Sequence, residues 1–145
     1  MTTRADIVAT ARSYLGTPFH HAGRLPGIGL DCVGIPICIM RALGMVAPDF
    51  DVPNYVGSPD GKSMLATCRE FLTPIAQIDT RIGDLTVFAT DMHPQHVGVI
   101  GNYQHGGFSI IHAANNAVPP RVIETRLMFG RRMRFVAAFA FPGMA

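Results

Sequence analysis

Residues 32–43, CVGIPICIMRAL, are apolar on nearly every side, and this constrains the fold more than any other feature. A helix without a polar face cannot sit on a surface, so other elements must wrap it. Asp31 is placed to cap it, Pro36 falls in its tolerated early part and Gly44 marks its end. With 145 residues there is room for one such core, and the reading is a single domain spanning 1–145.

The wrapping elements are legible on both sides. Thr3 and Asp6 resemble a capping pair, and Ile7, Val8, Ala11 and Leu15 recur at helical spacing until Gly16, predicting a first helix over about 4–15. The stretch GTPFHHAGRLPGIGLD is rich in Gly and Pro, which predicts a long shaped loop without a regular element. Residues 45–62 are loop-like, and SMLATCREFL has the pattern of a third helix. Beyond Gly83 the texture changes to DLTVFA, HVGVIGN, GFSIIHAA, RVIETRL and MRFVAAFAF, short β-rich runs that predict an antiparallel sheet. Helices first and strands later is an α+β signature.

Composition narrows the function classes. Hydrophobic residues at 48% against 15% charged exclude general disorder. Twelve Lys and Arg against ten Asp and Glu give +2, too few for neutralising phosphates, so no nucleic-acid partner is expected. No apolar stretch approaches a membrane span or a signal-peptide core, which predicts synthesis in the cytoplasm and no membrane insertion. The absence of Trp argues against a sugar-stacking lectin surface. Cys32, Cys38 and Cys68 are odd in number and form no CxxC pair, so neither a disulfide framework nor a dithiol site is expected.

The chemistry-bearing candidates are Cys32, His96 and His112. Cys32 falls at the junction of the Gly-rich loop and the buried helix, where backbone N–H groups and the helix dipole favour a thiolate. Such settings lower a cysteine pKa from about 8.5 to roughly 3.5–7.5, so the thiol is expected to ionise easily. Cys38 and Cys68 lie inside helical patterns and are read as packing residues. His96 opens one strand and His112 lies near the end of the next, so a hairpin can bring both imidazoles to one face as base and orienter. His93 and His96 also form an HxxH pair, but Pro94 stands between them and no HExxH helix is present, so neither metal nor cofactor is expected.

The stretches ARSYLGTPFHHAGRLPGIGLDCVG, GDLTVFATDMHPQHVGVIG and FSIIHAANN together resemble the NlpC/p60 cell-wall peptidases, which are papain-like cysteine hydrolases. The resemblance implies a papain-like α+β fold, with Cys32 as nucleophile, His96 as general base and His112 as the residue that orients it. It implies cleavage of peptidoglycan stem-peptide amides, typically between γ-D-glutamyl and meso-diaminopimelate residues, without a metal. The loop TPFHHAGRLPGIGLDC looks most like single-domain members of phage and gene-transfer-agent tails. That implies tail-tip or baseplate hub proteins as partners, carriage on the particle, and action at the periplasmic wall to help DNA delivery.

Two positions depart from the family pattern. Phe19 stands where many relatives have a Tyr hydroxyl, and Val33 replaces the Ser of Asp-Cys-Ser-Gly. Asp31 remains available to pair with a substrate ammonium or to cap the helix, and one of His20 and His21 is expected to supply the polar contact that Phe19 lacks. Two other readings stay open. One is a catalytically inactive tail adaptor with the same fold, and the other is an amidase or acyltransferase using the same thiolate.

Overall fold

The computed structural model describes residues 1–52, 62–91 and 95–145. Helix α1 (Arg4–Ser13) opens at Thr3, whose hydroxyl accepts from the Asp6 N–H while the Asp6 carboxylate accepts from the Thr3 N–H, a reciprocal cap. The helix closes before Leu15, because the Tyr14 and Leu15 N–H groups tighten onto the Ala11 and Arg12 carbonyls and Gly16 turns away at φ +85°. Its buried stripe is Ile7, Val8 and Ala11.

Helix α2 (Gly34–Ala42) is the central element, with every residue from Gly34 to Met40 buried. Full burial of each of its three isoleucines at 35, 37 and 39 is worth about 1.5–3 kcal/mol. The helix begins two residues later than the apolar run, since Cys32 and Val33 form a turn and Asp31 Oδ1 accepts the Gly34 N–H at 2.8 Å. Helix α3 (Lys62–Phe71) follows the expected pattern and buries Cys68.

Residues 16–31 contain one regular element that the Gly and Pro content hid: a small antiparallel hairpin of β1 (Arg24–Leu25) and β2 (Gly29–Leu30). This loop is stitched between neighbours. The Gly16 N–H donates to the Val122 carbonyl at 3.0 Å and the Val122 N–H to that of Thr17 at 2.9 Å, while the Phe19 N–H bonds Pro120 and the Leu30 N–H bonds Pro18.

The remaining strands are β3 (Thr73–Ile75), β4 (Leu85–Ala89), β5 (His96–Asn102), β6 (Phe108–Ala114), β7 (Arg121–Arg126) and β8 (Arg134–Ala140). They form one antiparallel sheet in the order β3-β8-β4-β5-β6-β7. Strand β3 was not expected from the sequence; Pro74 lies at the sheet edge, where a missing N–H is tolerated. Leu85, Val87, Val97, Val99, Ile111 and Ala113 turn one face of the sheet toward the helices and join their apolar residues in a common core. The opening Gly83-Asp84 of β4 is structural. Gly83 at φ +81° lies against the Arg4 backbone, and the fully buried Asp84 carboxylate is paired with the Arg4 guanidinium.

Candidate active site

Pleating puts alternate side chains of β5 on opposite faces, so Val97 and Val99 enter the helical core while His96 and Gly98 face the other way. Antiparallel pairing sets Phe88 of β4 opposite His96. Continuing the β5–β6 register from Val99↔Ile111 sets His112 opposite Gly98. The result is a cluster of three rings on one face. His96 Nε2 and His112 Nδ1 are 2.9 Å apart, and the Phe88 ring meets His96 and His112 edge-on at 5.0 and 5.8 Å.

Protonation follows from burial. Desolvation pulls the His112 imidazole down to about 4, so at neutral pH it is uncharged and one ring nitrogen is a lone-pair acceptor. The bond between the rings uses His96 Nε2 and leaves Nδ1 outside it. With His112 Nδ1 as the acceptor, His96 carries its proton on Nε2 and donates it to that nitrogen, an arrangement that persists when His96 becomes an imidazolium.

Cys32 reaches this strand from the turn before α2. The backbone N–H groups of Val97, Val33 and Cys32 itself favour its thiolate, and Val97 is the residue after His96. These groups are outweighed. Burial first, and the Asp31 charge second, push the thiol up to about 12. This corrects the expectation of an easily ionised thiol: the residue keeps some accessible surface but its sulfur is crowded, the helix starts beyond it, and an acidic neighbour opposes the helix dipole. Cys32 therefore rests as the protonated thiol. Cys38 is buried and donates to the Arg24 carbonyl at 3.3 Å; Cys68 is buried and pushed up to about 11.

The other candidate residues divide. Asp31 is 3% exposed, and its carboxylate accepts from the Arg24 guanidinium at 2.9 Å, the Ala22 N–H at 2.9 Å and the Gly34 N–H at 2.8 Å. Of the two roles open to it in the sequence, these contacts are those of a buried cap and ion-pair partner. Phe19 packs half-buried on the core. Val33 lines an apolar groove with Pro36, Met40, Met64, Phe71 and Val97. His20 and His21 are both exposed, and the His20 Nδ1 is 2.9 Å from the His21 carbonyl. Among the described residues, no hydrogen bond or ring contact joins either to Cys32, His96 or His112. That local bond requires a proton on His20 Nδ1, which leaves the neutral ring only an acceptor at Nε2.

The sequence did not single out Phe88, because only the strand register reveals that it supports both imidazoles. Nor did it single out the wall of the cleft beside them, where Asn115, Asn116 and Arg132 stand. His93 lies outside the described residues; among the described ones no group of three or more His, Cys, Asp or Glu could hold a metal ion. No helix of the described residues is long and apolar enough to cross a membrane.

The chain matches no protein-family model and no curated protein. It is similar to a solved structure, the NlpC/p60 domain of peptidoglycan hydrolase SagA, with 22% identity, a TM-score of 0.60, and coverage of 97% of this chain and 100% of that one. Three helices packed on a large antiparallel sheet, superposable on that domain over nearly their whole length, constitute an α+β fold of the papain-like NlpC/p60 type.

Proposed function

We propose that the protein is a peptidoglycan hydrolase that cleaves stem-peptide amide bonds by cysteine chemistry, with Cys32 as nucleophile, His96 as base and His112 as its positioning residue. The observation that carries this reading is the His96–His112 hydrogen bond beside the strand position whose N–H reaches the Cys32 sulfur. The fold shared with a peptidoglycan hydrolase domain supports it.

With the thiol protonated at rest, its proton must leave as attack proceeds, so base catalysis is concerted with attack. His96 Nδ1 takes the Sγ proton as sulfur bonds to the scissile carbonyl carbon, and the backbone N–H groups of Cys32 and Val33, which already favour negative charge on the sulfur, serve the developing negative charge. Collapse breaks the C–N bond, and the same Nδ1–H protonates the leaving amine. Water then attacks the thioester with His96 again as base, releasing the acid and restoring the thiol. Throughout, neutral His112 accepts from Nε2–H and holds the ring in place.

The scissile bond is the γ-D-glutamyl–meso-diaminopimelate amide, and the setting is a phage-like tail tip that carries the enzyme to the wall. Both rest on the motif resemblance. Incubating wild type and Cys32→Ala with purified peptidoglycan and identifying released fragments by mass spectrometry tests activity and bond together. Fragments with new diaminopimelate amino termini from wild type alone are expected. Equal inertness of the two proteins would leave the adaptor reading, and fragments cut at another amide would name an amidase. For the setting, particles lacking the protein should adsorb to cells yet deliver DNA poorly.

A further inference from the structure

The cleft on the open side of the histidine pair is lined by Phe88, His96, His112, Asn115, Asn116 and Arg132 among others, and Cys32 does not line it. We propose that this cleft receives the leaving-group half of the substrate and that Arg132 is a specificity residue that binds a carboxylate on it. The proposal deepens the hydrolase reading above and rests on it for the direction of the substrate.

Direction follows from proton delivery. The imidazole that protonates the departing nitrogen must lie beside it, so the half leaving as an amine extends along His96, and the cleft His96 lines is the space available to it. Chemistry follows from the wall. Arg132 brings a guanidinium, and Asn115 and Asn116 bring amide donors, all exposed at the cleft.

Charge accounting favours an anion. Asp91 also lines the cleft, but its carboxylate faces the Arg134 guanidinium at 3.4 Å. Among the described residues no carboxylate pairs with Arg132, while Arg134 is the partner of Asp91. Among the described residues, two cations against one anion leave a positive surplus at the cleft mouth. The segment presenting Arg132 is also held. The Gly130 N–H donates to the Met133 carbonyl at 2.8 Å, and Arg134 donates to the Arg131 carbonyl at 3.0 Å. A substrate whose amine half carries a free carboxylate, as an amino acid with an acidic terminus does, matches this wall; an amidated one does not.

The test is calorimetric binding to the full chain carrying Cys32→Ala, so that turnover does not intervene. The probes are the tripeptide L-alanyl-γ-D-glutamyl-meso-diaminopimelate with free diaminopimelate carboxylates, and the same peptide with both amidated. The free acid should bind roughly tenfold more tightly. That preference should vanish in Cys32→Ala/Arg132→Ala, return in large part with Arg132→Lys, and shrink toward 1 M salt, where the screening length falls to about 3 Å. Equal affinity for the two peptides, a preference that survives Arg132→Ala, or no binding of either would overturn the proposal. Hydrolysis of peptidoglycan by the chain with Cys32 intact is scored separately. An inert enzyme that keeps the Arg132-dependent preference removes the hydrolase reading but not the carboxylate site, and an active enzyme without the preference removes the site but not the hydrolase.

Discussion

Gly98 offers the sharpest test of how the histidine pair is built. A Cβ at this position would lie 2.6 Å from Ile110 Cγ1, 2.7 Å from Ile110 Cδ1 and 3.2 Å from His112 Cβ. Carbon contacts settle at about 3.5–4.0 Å, so Gly98→Ala demands a displacement on the order of 1 Å from Ile110 and a few tenths from His112. Ile110 is fully buried and cannot swing into solvent. Overpacking of this kind costs about 1–3 kcal/mol, against about 0.4–1 kcal/mol gained from stiffening the unfolded chain, so a net loss on the order of 1–2 kcal/mol is expected in urea unfolding. A functional effect should accompany the stability effect. Moving His112 by a few tenths of an ångström strains its 2.9 Å bond to His96, so turnover should fall, by less than the roughly 100-fold that a 1 Å misplacement brings. Turnover on peptidoglycan and the imidazole resonances of the pair would be measured alongside the urea midpoint. A variant with the wild-type midpoint and wild-type turnover would refute the argument that strand packing at Gly98 sets the His112 position.

Other outcomes follow from the same geometry. Alkylation of the native protein should label Cys32, which keeps some accessible surface, before buried Cys38 and Cys68, and its rate should keep rising above neutral pH without a plateau near 7, since the thiol sits at about 12; equal labelling of all three would contradict this. His112→Asn should retain partial activity while His96→Ala loses it, because only the former keeps a hydrogen-bonding orienter; equal loss would reverse the assigned roles. The His112 imidazole titrates near 4 when folded and near 6.5 when unfolded, so the unfolded chain binds the extra proton. Stability should therefore fall as pH drops from about 6.5 to 4, and urea titrations of His112→Asn should show a flatter slope in that window. Arg24→Met should destabilise by about 3–5 kcal/mol by stranding buried Asp31, with the double variant Arg24→Met/Asp31→Asn recovering part of the loss in the same assay.

Much of this architecture is legible in local patterns. The Thr3/Asp6 spacing predicts the α1 cap, the all-round apolarity of residues 32–43 predicts a central helix, and the β-rich runs predict five of the sheet strands. What escapes is what depends on a distant partner. Pro74 masks β3 because its tolerance is decided by an edge position that only pairing with β8 creates. The hairpin inside residues 16–31 is two residues per strand, too short to alternate. Asp31 reads equally as a substrate contact or a cap until Arg24 is seen beside it. The thiol's acidity escapes for the same reason: proximity to a helix start is a sequence property, whereas crowding of the sulfur is not.

The position of β8 bears on when this protein can become functional during its synthesis. β8 pairs with β3 on one side and β4 on the other, yet it is made after both. Until residues 134–140 have left the ribosome, the growing chain carries two unjoined pieces of sheet with open edges, and the face that supports His96 lacks one flank. At about 5–20 residues per second the nascent chain spends seconds in that state, exposed to wrong pairing rather than to catalysis. Completion of the sheet, and with it a rigid platform for the imidazoles, is thus a late event in the life of each molecule. A chain interrupted anywhere before β8 should be a substrate for quality control rather than a partly active enzyme.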